Sequence, residues 1–89
     1  MEIAFDAAKD VKNINKHDGV SLADAKAFEW DDAVVWTDRR KTYGEERMIA
    51  LGYIGNRLFN VVFVDRDDTR RIISLRKANK REERRYAET

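Results

Sequence analysis

The sequence predicts an α+β fold, a four-stranded antiparallel sheet with two helices before it and one after it. Three observations predict it. Residues 46–77 fall into strand-length apolar runs cut by two short turn signals, Gly55-Asn56 and Asp67-Asp68. Residues 6–30 carry two helix-start signals, Asp6 and Ser21. The chain closes on Asn79-Lys80-Arg81-Glu82, a reciprocal capping sequence at the head of a charged run.

Taken in order, Met1 to Phe5 reads as a short extended arm in which Ile3 and Phe5 alternate with Glu2 and Ala4. Asp6 caps a helix running to about Lys16, with Ala8, Val11, Lys12 and Asn15 on one face and Ile14 beside it. His17-Asp18-Gly19 ends it, glycine supplying the left-handed position. Ser21, with Asp24 three residues on, opens a second helix to about Trp30. Ala33 to Thr37 is β-branched and aromatic, a strand. A polar loop follows from Asp38 to Gly44, with Arg39, Arg40 and Lys41 in it. Glu46–Tyr53 alternates as a strand. Leu58–Val64 is the most apolar run and reads as the central strand, and Thr69–Lys77 as the last. The connections leave no room for crossovers within this meander, so its strands are expected antiparallel, with the helices on one side and the other face at least partly open.

Composition narrows the chemistry. The 89 residues suggest one domain with a modest core, so chemistry is expected on an open face. There is no cysteine and one histidine, which argues against disulfides and zinc, and no cofactor is expected. The first twenty residues are too charged for a secretory leader, and no apolar run is long enough to span a bilayer, so a cytoplasmic location without membrane contact is the expectation. No phosphate-binding glycine loop, dinucleotide fingerprint, HExxH or nucleophile elbow occurs.

Charge supplies the strongest functional signal. From Thr69 onward eight Lys/Arg face three Glu, giving +5 in a chain of formal charge +1, so residues 1–68 carry −4. Arg70, Arg71, Arg76 and Lys77 bracket the apolar heart of the last strand, and Lys80/Arg84 and Arg81/Arg85 pair at i, i+4 on the last helix. Phosphates suit this cluster, because arginine offers a planar fork that stays charged. A solvated helix face, internally paired through Glu82, is the plainer alternative. Arg47, at a strand start, is a further candidate. His17 is the one side chain that titrates near neutrality, although a lone histidine at a helix end also serves as a cap. Tyr86 has two readings as well, stacking on a base or packing the last helix on the sheet. Strict strand alternation puts Arg71 with Ile73 and Leu75, on the opposite face from Ser74 and Arg76.

Four segments, FDAAKDVKNINKHDGVSLADA, GEERMIALG, LFNVVFV and RIISLRKANKREERRY, together resemble the BrnT toxins, the ribonuclease halves of type II toxin–antitoxin pairs. They span nearly the whole chain in the family's order. Two departures occur at the start: no tryptophan precedes Asp6, and Asp18 is inserted between His17 and Gly19. The resemblance implies a twisted, RelE-like antiparallel sheet and metal-independent RNA cleavage by attack of a ribose 2′-OH on the adjacent phosphate. It implies His17 as base or acid, and Arg47, Arg71 and Arg76 on the phosphate. Lys16, Lys77, Arg81, Arg85 and Tyr86 would then contact the RNA. It also implies a BrnA-like, DNA-binding antitoxin as partner, in a complex with two toxins. Residues alone leave open a non-catalytic nucleic-acid-binding module, or an interaction protein using Trp30, Trp36 and a sheet edge.

Overall fold

The computed structural model describes residues 1–40, 42 and 44–89, so Lys41 of the polar loop lies outside the described residues. The elements are β1 (Glu2–Ala4), α1 (Ala7–Lys16), two 3₁₀ segments (Leu22–Ala27 and Trp30–Asp32), β2 (Val34–Thr37), β3 (Met48–Ile54), β4 (Arg57–Arg66), β5 (Thr69–Lys77) and α2 (Lys80–Ala87). The sheet has five strands in the order β1-β5-β4-β3-β2. The pairs β2–β3, β3–β4 and β4–β5 are antiparallel, but β1 runs parallel to β5.

This corrects the predicted four-stranded, wholly antiparallel sheet with two N-terminal helices. The extended arm is a strand, docked by register Glu2↔Thr69 to Ala4↔Arg71. Three residues give almost no alternation to detect, and a parallel partner so far along the chain leaves no local turn signal. The second predicted helix is 3₁₀. Its capping box at Ser21 and Asp24 forms as expected. However, its buried residues Leu22, Ala25 and Phe28 recur every third position, the period of a 3₁₀ turn. The expectation of helices on one side is corrected too, since the 3₁₀ segments cover one face and α2 crosses the other.

The first face carries the core. Val20, Leu22, Ala25 and Phe28 pack on Ala50, Phe59, Val61, Phe63, Ile72 and Leu75. Gly52 is where Phe28 comes down on the sheet: a Cβ there would sit 2.6 Å from the ring. The second face presents Ile49, Leu51, Asn60, Val62 and Ser74, by register with one another.

Helix α1 does not dock by its apolar residues. Val11 and Ile14 are 59% and 37% exposed, and Asn13 is buried instead. Asn13 Nδ2 donates to Leu75 O (2.8 Å) and Val20 O (2.9 Å), and Leu75 N donates to Asn13 Oδ1 (3.3 Å). The amide side chain extends the sheet where β1 stops pairing with β5. One turn earlier, Asp10 accepts from Leu22 N (2.7 Å) and Ser21 Oγ (3.1 Å). We expect Asn13→Ala to strand three buried backbone groups at about 1–3 kcal/mol each, for a loss near 3 kcal/mol by urea titration. A loss under ~0.5 kcal/mol, the size of an ordinary surface substitution, would show that the amide is not the anchor.

Candidate functional site

The capped end of α1, β5 and α2 meet over the second face and enclose a groove of about 520 Å³. Lys16, His17, Arg76, Arg81 and Arg85 line it, with Glu82 as its carboxylate. The groove therefore gathers five of the nine residues singled out in the sequence.

Each is positioned by a local feature. His17 is the C-cap of α1, its N–H donating to Asn13 O at 2.8 Å. The inserted Asp18 is absorbed by two left-handed residues, Asp18 at φ 54° and Gly19 at φ 86°, a conformation aspartate tolerates better than most residues. Gly19 N–H then closes on Ile14 O at 2.9 Å, and His17 stands at the helix end. Burial first, then Lys16 and Arg76, push the imidazole below its ordinary pKa, and Asp18 opposes them. A group so shifted is mainly neutral at pH 7.

Arg76 stands opposite Asn60 on β4. Its fork is engaged by Glu82, Nη1 to Oε1 and Nη2 to Oε2, both at 2.8 Å. Glu82 also accepts from Asn60 Nδ2 and from Asn79 N, each at 2.9 Å. Burial alone would raise the Glu82 carboxyl, but Arg76, Asn79 and Asn60 outweigh it and hold the group below its usual range. The same carboxylate thus closes the capping box of α2 and ties that helix to the sheet. Arg85 stacks 3.7 Å over the Trp36 ring, a second tie.

Strict alternation is broken in β5. The register passes from Phe63↔Ile72 to Val62↔Ser74, leaving Ile73 as an extra, bulged residue. Arg71 opposes Val64, Ser74 opposes Val62 and Arg76 opposes Asn60, so all three share the second face. The separation of Arg71 and Arg76 expected from parity is corrected by this bulge. Arg71 still lies outside the groove, toward the other end of the face. There it helps lower Glu45 behind the larger effects of Arg66 and Arg47, and Asp6 behind the Lys9 and Ala8 amides.

Arg47 lines an adjoining cleft with Lys16 and His17. Lys77 opposes Phe59, a core-face position, and is exposed away from the groove. Tyr86 packs edge-on against Tyr53 (5.5 Å) and donates to Asp32 O (3.2 Å), which holds α2 down. Arg70 is drawn to the core face, forked on Asp65 (2.8 and 2.9 Å) and stacked on Trp30 and Phe63.

Sequence reasoning passed over Asn60, Ser74 and the inward role of Glu82. Asn60 had a signal, being the one polar residue inside LFNVVFV. Glu82 is legible in the sequence as a cap and as an internal partner for nearby arginines, but not as part of a groove.

A groove lined by Lys16, Arg76, Arg81 and Arg85 beside His17, on a small α+β sheet, has the charge and donor geometry that suit phosphate groups. Over residues 5–82 the chain matches the model of a family described as "Ribonuclease toxin, BrnT, of type II toxin-antitoxin system", and it belongs to that family. The match ends at Glu82, so Arg85 and Tyr86 lie beyond it. No curated protein matches the chain.

Proposed function

We propose that this toxin is a metal-independent endoribonuclease that acts in the cytoplasm, inhibits translation by cutting RNA, and is silenced by a DNA-binding antitoxin. The observation that carries the reading is the convergence of Lys16, His17 and Arg76 at one end of a cation-lined groove. The groove's positive charge is carried by Lys16, Arg76, Arg81 and Arg85.

In the proposed step the ribose O2′ bonds to the adjacent phosphorus and the P–O5′ bond breaks. Neutral His17 takes the 2′ proton. Lys16, the adjacent ammonium, gives one to the leaving O5′. Arg76, with Arg81 and Arg85 along the wall, stabilises the charge that builds on the phosphoryl oxygens. The products are a 2′,3′-cyclic phosphate and a 5′-hydroxyl. Arg76 meets its phosphate by sharing or exchanging the fork that Glu82 now holds.

The test is cleavage of a defined RNA by purified protein in EDTA, with the ends identified. Persistent cleavage to cyclic phosphate and 5′-hydroxyl is expected; loss in EDTA, or 5′-phosphate ends, refutes the mechanism. In the same assay, the adjacent small reading frame co-expressed with this chain should yield a complex with two toxins and no activity. A co-purified partner that leaves cleavage undiminished would refute occlusion of the groove.

A further inference from the structure

A second cleft, of about 250 Å³, continues the groove between α1 and the outer edge of β5. Lys9, Lys12, Lys16 and Arg47 line it. Lys16, His17 and Ser74 line both cavities, so the two adjoin at the histidine. The two differ in charge. The groove holds Glu82, whereas none of the described residues lining the cleft is acidic. Among the described residues Lys9, Lys12 and Lys16 take part in none of the ion pairs.

The cleft is built into the fold. Lys9, Lys12, Asn13 and Lys16 recur at i, i+3, i+4 and i+7, one strip of α1. Asn13 is the residue bonded to Leu75, so this strip is fixed against β5. Seven residues of helix span roughly 10 Å, a length over which the lysines can reach neighbouring phosphates of one strand.

We propose that the cleft is a second RNA-backbone site, deepening the ribonuclease reading on which it rests. The substrate strand crosses the junction at His17 and Ser74. Lys9, Lys12 and Arg47 hold phosphates on one side of the bond cut, and Arg76, Arg81 and Arg85 hold those on the other. An acidic polypeptide is the competing occupant. The cleft favours RNA, because its described lining residues supply four cations and no carboxylate, on a strip that continues the cation-lined groove.

The test uses Lys9→Gln/Lys12→Gln, which keeps helix propensity. Binding of a 2′-O-methyl oligonucleotide is followed by fluorescence anisotropy against salt, and cleavage of the matching RNA is measured. Two lost phosphate contacts at ~0.7 each should flatten the log K against log salt slope by about 1.4. We expect Kd and KM to rise roughly tenfold with kcat within about twofold, the split for uniform binding. RNAs too short to reach past His17 should be insensitive to the change. Unaltered Kd and slope with long RNA, in a protein whose wild type cleaves, overturn the second site alone. Normal RNA binding with loss of poly-glutamate binding assigns the cleft to a protein partner and overturns it as well. A wild type that neither binds nor cuts RNA fails the ribonuclease reading first.

Discussion

Arg76→Ala should reduce RNA cleavage by ~10²–10³, the usual cost of losing one charge-stabilising donor in a transition state. From sequence, this arginine at a strand end had no evident structural duty. Its fork on Glu82 shows that it has one, because alanine leaves a partly buried carboxylate with only Asn60 and Asn79 as donors. A destabilisation of about 1–3 kcal/mol should therefore accompany the kinetic loss. Two further variants separate the effects. Arg76→Lys keeps the charge without the fork and should recover little activity if planar recognition of phosphate is what matters. Arg76→Ala/Glu82→Gln removes the stranded charge and retains a capping amide, so it should recover stability but not cleavage. Wild-type cleavage by that double variant would reduce Arg76 to a strut between sheet and helix.

The sequence's +5 tail is not one patch in three dimensions. Arg70 turns to the core face onto Asp65, Arg76 turns to Glu82, Arg85 lies on Trp36, and Lys77 points away. Strand faces and local carboxylates, more than summed charge, decide which of these cations reach the groove. The lysines of α1, in the half of the chain with net negative charge, join the same surface.

Legibility followed the range of the interactions. The turns at Gly55 and Asp67, the bounds of β5, and the Asp6, Ser21 and Asn79 caps depend on a few adjacent residues, and all were readable. The parallel β1–β5 pairing was not, since it joins residues far apart with no shared turn. The docking face of α1 was hidden for another reason: it is held by side-chain-to-backbone hydrogen bonds of Asp10 and Asn13, and apolar periodicity cannot register them. The bulge at Ile73 was equally silent, because RIISL reads as an ordinary strand. Yet that one extra residue puts Arg71, Ser74 and Arg76 on one face.

His17→Ala should lower kcat by ~10²–10⁴, the contribution of a positioned general base. The pH profile of the wild type carries the stronger test. A base must be neutral to act, and burial, then Lys16 and Arg76, lower the His17 pKa beneath its ordinary value of about 6.5. Activity should therefore rise with pH, inflect below ~6.5 and stay level through neutrality. The neighbours set the direction of each change. Lys16→Met and Arg76→Ala remove positive charge and should move the inflection of the residual activity upward. Asp18→Asn removes the carboxylate that opposes them and should move it downward, giving the inserted residue a measurable effect on the site. Stability obeys the same sign. The unfolded chain takes up the His17 proton first as pH falls, so the contribution is complete above ~6.5 and is lost as pH drops through the folded pKa. Activity that falls as pH rises through this range would make His17 the acid, and a His17→Ala profile superimposable on the wild type would remove it from proton transfer.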